Sequence, residues 1–144
     1  MDKKLSREIG VSCACFNLRR AARLVTQRYE RALKGTGLKA TQFSVLVAAG
    51  YEEGLLLTKM ARLLGLDRTS LTRNLNVMTA RGLVTVTAGD DKRERQISIT
   101  PRGREALAAA LPLWQKVQAE TVAALGPEKW SGLLSGLHEV ARKG

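Results

Sequence analysis

Two runs of side chains carry most of the chemistry open to this sequence. The first is Arg68, Thr69, Ser70, Thr72, Arg73 and Asn76, within RTSLTRNLN. Guanidinium forks, short hydroxyls and a carboxamide are the groups that bond phosphate oxygens and base edges. An arginine there can take both major-groove acceptors of a guanine, and the hydroxyls can bond phosphate or base. The second is Lys92, Arg93 and Arg95, at the tip between two strand-like runs in GDDKRERQISIT. Cations that project from a hairpin can grip phosphate or enter a minor groove. An aspartate is costly beside phosphate, so Asp91 is expected to pair with an arginine of the same hairpin and hold its side chain in place.

Catalysis has far less to work with. There is one histidine, His138, with few acids near it and no glycine-rich phosphate loop, so no enzyme is expected. No cofactor or metal is expected either. Cys13 and Cys15 have poor zinc spacing, and His138 lies on a distant amphipathic segment. The two cysteines form no disulfide framework, which fits free thiols in a reducing cytosol. Arg19 or Arg20 can favour the Cys15 thiolate, while a cysteine can equally serve as a small core hydrophobe.

These groups need a frame. The chain has 144 residues, enough for one domain with a real core. Its formal net charge is +11, and a folded protein so basic repels itself unless something negative faces it. No 18-residue apolar span and no signal peptide stand out, so a cytoplasmic protein without membrane contact is expected.

Apolar spacing of three to four predicts a helix from Ser12 to Lys34. Thr41 is expected to cap the next, apolar helix, and Thr58 a short third one broken at Gly65. Asp67 is expected to cap a fourth, ending before Gly82, with Leu71, Leu75 and Met78 as its core stripe. LVTVTAG and QISIT alternate as strands, burying Val84, Val86, Ile97 and Ile99. Pro101 opens a long helix that Pro112 should kink or break, and Pro127 opens the last. The fold class is therefore mostly α with a small β-hairpin wing: a winged helix-turn-helix. Residues 37–100 form the winged helix DNA-binding region of a single domain, flanked by the helices of residues 1–36 and 101–144.

LDRTSLTRNLNVMTARGLV followed by DDKRERQISITPRG resembles the MarR family of bacterial transcriptional regulators. The matching positions are Gly82, Leu83 and Val84, then Asp91 and Arg93, then Ile99, Thr100 and Gly103. Isoleucine at 99 replaces the usual leucine. The resemblance implies a homodimer, joined through N- and C-terminal dimerisation helices (residues 1–36 and 101–144), on a pseudo-palindromic operator in double-stranded DNA, acting as a repressor released by a small-molecule effector or an oxidant. Leu107, Leu111, Trp114, Val117 and Leu125, with Trp130, Leu133, Leu134, Leu137 and Val140, supply apolar stripes for such a dimer. CACF with Tyr29 is similar to the peroxide-sensing branch, in which tyrosines of the dimer partner bond the cysteine. Arg19 stands where that branch has a second tyrosine. The rival reading is a winged-helix module that binds protein or RNA and no operator.

Overall fold

The computed structural model describes residues 2–143. Helix α1 (Lys3–Ser12) starts on Asp2, whose carboxylate accepts from the Lys4 N–H at 2.9 Å. The single helix expected from Ser12 is in fact two. The chain leaves helical geometry at Cys13 (ψ 114°) and resumes as α2 (Ala14–Leu33). Asn17 accounts for the break. Its amide donates to the carbonyls of Val11 (3.3 Å) and Gly10 (3.4 Å), acceptors that the end of α1 leaves open, and to that of Cys13 (2.9 Å), which also takes the Asn17 main-chain N–H at 3.1 Å.

A 3-10 turn over Lys34–Thr36 closes on Gly37, whose φ of 71° suits a residue without a Cβ. Helix α3 (Ala40–Tyr51) follows. Thr41 lies inside it; the cap position is Lys39, whose N–H donates to the Gln42 side chain at 3.1 Å. After the two-residue strand β1 (Leu55–Leu56) comes α4 (Leu57–Leu64), with Leu56 rather than Thr58 at its cap. Gly65 ends it at φ 62°. Asp67 caps α5 (Arg68–Ala80) as expected, and β2 (Val84–Ala88) and β3 (Arg95–Ile99) form the hairpin.

The sheet is antiparallel in the order β1-β3-β2, with Leu55 opposite Ile97 and Val84 opposite Ile99. Strand β1 is too short for its alternation to show in sequence. Helix α6 (Pro101–Leu125) runs on through Pro112, where a kink or break was expected. Proline removes one N–H from the ladder there, and the turns on either side carry the helix across. Helix α7 (Pro127–Lys143) completes the chain.

The core lies between α3, α4, α5 and the sheet. Val45, Leu46, Met60, Leu71, Leu75, Met78, Val84 and Ile97 are all buried there, while Val86 packs on it half-buried. Helices α1 and α7 bury no residue at all. The accessible surface is 10389 Å², against about 7,300 Å² for a compact monomer of this mass. Large apolar side chains contribute to it: Phe16, Leu24, Val25, Leu111, Leu125, Leu133 and Val140 are exposed.

Candidate nucleic-acid interface

Helix α5 owes its position to one apolar stripe. Leu71, Leu75 and Met78 recur every three to four residues and are sunk in the core, so the opposite face must point outward. Arg68, Thr69, Thr72, Arg73 and Asn76 occupy that face, all exposed, and together line one shallow depression. The helix contains no carboxylate. Its N-terminal end is fixed by Asp67, which accepts from the Ser70 N–H at 2.8 Å and from the Ser70 hydroxyl at 2.7 Å. The Ser70 hydroxyl, and then its main-chain N–H, hold the Asp67 carboxyl below the usual carboxylate range. Ser70 is half-buried, with its hydroxyl proton given to the cap.

The wing stands beside this face. Its tip is closed by two main-chain bonds, Gly89 N–H to the Glu94 carbonyl and Glu94 N–H to the Asp91 carbonyl, each 2.9 Å. The expected pairing of Asp91 with an arginine side chain is not what forms. Its carboxylate accepts from the main-chain N–H of Arg93 at 3.0 Å. A short side chain two residues back reaches its own turn more readily than a guanidinium that swings out into water. Lys92 and Arg93 project from the tip. Arg95 instead stands on β3 opposite Ala88 and lines a groove of about 630 Å³ with Arg68, Thr72 and Asn76. Among the described residues no cation of α5 or the wing makes an ion pair within the chain.

The root of α5 is a packed junction that sequence reading missed. The Arg81 guanidinium donates to the Gly37 carbonyl at 3.1 Å and to the Gln42 side-chain oxygen at 3.3 Å. Gln42 is 7% exposed. The Thr100 hydroxyl donates to the Gly82 carbonyl at 2.6 Å and accepts from the Gly103 N–H at 2.9 Å. Gly103 is there for room: a Cβ on it would lie 2.1 Å from the Leu83 carbonyl oxygen.

Two other features lie away from the interface. A cavity of about 660 Å³ is walled by Phe43, Val47, Tyr51, Leu63, Leu111 and Trp114, from α3, α4 and α6. The Phe43 and Trp114 rings stack within it at 6.2 Å. No motif marks this cavity in the sequence. The one available signal was that α3 is apolar on both of its sides, with Val47 and Tyr51 exposed. Near the N-terminus, half-buried Cys13 and exposed Cys15 are both free thiols, and they share a hollow with Phe16, Arg19 and Arg20. The Tyr29 hydroxyl is engaged elsewhere, donating to Gln118 of α6, and α2 is tied to α6 again by Arg28 and Glu120 at 3.5 Å.

Comparison with known proteins agrees with this layout. The MarR family model matches residues 36–94. The chain is 31% identical to the HTH-type transcriptional regulator SarZ of Staphylococcus saprophyticus over 105 residues, 72% of this chain and 68% of that one. Among solved structures, the transcriptional regulator MosR of M. tuberculosis in complex with DNA superposes with a TM-score of 0.84 at 42% identity, covering 92% of this chain and 96% of that chain. CouR of Rhodococcus jostii RHA1, bound to p-coumaroyl-CoA, gives 0.79 at 25% identity, covering 91% and 93%.

Proposed function

The chain belongs to the MarR family, and from that premise we propose that it is a sequence-specific transcriptional regulator, a homodimeric repressor acting in the cytoplasm on a pseudo-palindromic operator and released by a small molecule. One observation carries this reading. Arg68, Thr69, Thr72, Arg73 and Asn76 form an unneutralised outward face on α5, and Arg95 of the wing lines a groove with three of them. The first turns of α5 enter a major groove and read base edges, while Lys92 and Arg93 at the wing tip meet phosphate or the minor groove. Thr69 and Thr72 bond phosphate or touch a thymine methyl. Ser70 contributes through the cap, because its hydroxyl proton is held by Asp67. MosR, solved with DNA, supports the duplex as partner.

The excess surface supports the dimer. Exposed apolar positions on α2, α6 and α7 are what a two-fold interface would cover. For the effector, the apolar cavity between α3, α4 and α6 has the volume and lining of a small-molecule site. Release by oxidation rests on Cys15, exposed in a hollow shared with Arg19, and not on Tyr29, whose hydroxyl is already bonded to Gln118. Organic hydroperoxide should then weaken operator binding by wild type and not by Cys15→Ser; equal affinity of wild type before and after treatment removes the oxidant.

The decisive experiment is protection of a defined duplex, recovered from random DNA, by wild type, Arg73→Ala and Arg93→Ala. Each substitution should cost roughly 1–3 kcal/mol of binding. Binding should also weaken steeply with salt, because bound cations displace counterions. Wild-type affinity in both variants would refute the assignment, and folded protein that protects no duplex would favour a module that binds protein or RNA.

A further inference from the structure

We propose that Arg81 is a positioning residue that fixes the spacing between half-sites which the dimer accepts; this rests on the operator-binding reading above. Arg81 itself sits far from the reading end. Helix α5 has 13 residues, so its C-terminal neighbour lies about 20 Å from the first turn. What it does instead is join two parts of the molecule. Both hydrogens of one guanidinium nitrogen are used, one on the Gly37 carbonyl (3.1 Å) and one on the Gln42 side chain (3.3 Å).

Both acceptors are themselves held. The Gly37 N–H closes on the Lys34 carbonyl at 3.3 Å, directly after α2, and the Gln42 oxygen also takes the Lys39 N–H at 3.1 Å. The fit is close: a Cβ at Gly37 would lie 3.4 Å from the other Arg81 terminal nitrogen. Gln42 is the buried polar side chain of the core, and a buried acceptor is costly to leave unpaired. Among the described residues, these are the side-chain hydrogen bonds that carry residues 68–81 to the end of α2 and the start of α3.

In a two-fold dimer the separation of the reading helices depends on how rigidly each is joined to the helices that meet at the axis. One base pair more or less between half-sites moves the second reading site by about 3.4 Å and turns it by about 35°. A stiff joint rejects that change and a loose one tolerates it. The two bonds from one planar guanidinium nitrogen supply the stiffness, because their diverging directions fix orientation as well as distance.

The test uses full-length protein and the duplex that wild type recovers from a random pool, remade with one or two base pairs added or removed at its centre. Affinities are measured for wild type, Arg81→Gln, Gln42→Met and Gln42→Glu. The readout is the ratio between spacings, in which any loss of folded protein cancels. Wild type should lose about tenfold or more per base-pair change, and Arg81→Gln and Gln42→Met about threefold or less, with an unchanged salt slope. Gln42→Glu keeps both acceptor roles and should retain the wild-type profile. Uniform weakening of Arg81→Gln at every spacing, with the salt slope smaller by about one, would make Arg81 a phosphate contact and overturn the proposal. A wild-type spacing profile in both Arg81→Gln and Gln42→Met overturns it too. If wild type recovers no two-fold duplex, the regulator reading fails first and this proposal falls with it.

Discussion

Replacing Gly103 by alanine sets helix propensity against packing, and the structure decides the sign. Propensity alone favours alanine by up to about 1 kcal/mol. The added Cβ, however, would lie 2.1 Å from the Leu83 carbonyl oxygen, 2.8 Å from Ile99 Cγ1 and 3.1 Å from the Leu83 carbonyl carbon. The nearest atom is main chain, so no side-chain rotation relieves it. Leu83 and the start of α6 would have to part by roughly 1 Å, an overpacking cost of about 1–3 kcal/mol. The same Leu83 oxygen accepts from the Thr100 N–H at 3.1 Å, and losing that bond adds about 1 kcal/mol. The net expectation is destabilisation of about 1–3 kcal/mol, read by urea unfolding at one fixed protein concentration. A Gly103→Ala protein as stable as wild type would refute the reasoning.

Two further outcomes follow from the site. Asp67 has a lowered pKa in the folded chain, so its capping contribution is present above the unfolded carboxylate value and is lost as pH falls through the lower folded one. Asp67→Ala should therefore unfold earlier than wild type in urea near pH 7, and the gap should narrow as pH falls below about 4, because the neutral carboxyl caps less strongly than the carboxylate; a gap of unchanged size in acid would contradict the assignment. Val47→Trp should fill the cavity beside Trp114, leaving operator affinity unchanged and reducing effector-induced release about tenfold or more in an anisotropy titration; undiminished release would move the effector elsewhere.

The winged-helix half of the molecule was largely legible in sequence, and for a physical reason. Leu71, Leu75 and Met78 fix which side of α5 is buried, and that alone turns Arg68, Thr72 and Arg73 outward. Val84, Ile97 and Ile99 do the same for the hairpin. Local chemistry also announces itself when both partners lie within a few residues, as with Asp67 and Ser70. What stayed hidden depends on distant partners. Arg81 looks like one more surface cation until Gly37 and Gln42, roughly forty residues away, come to meet it. The break at Cys13 was missed because apolar spacing continues across it, while the side chain that takes up the last carbonyls of α1 belongs to Asn17, a turn beyond. Asp91 was assigned the wrong donor because spacing cannot tell an arginine side chain from its own main-chain N–H. The cavity was invisible since its walls come from three separate helices.

Helices α1 and α7 contain no buried residue. With a second copy as their cover, part of the folding free energy of each chain is borrowed from its twin, and mass action governs the loan. Dilution then behaves as a denaturant, and the melting temperature climbs with the number of copies present. A regulator kept scarce would spend more of its life partly undone, exposed to proteases, so that its abundance and its persistence would rise and fall together.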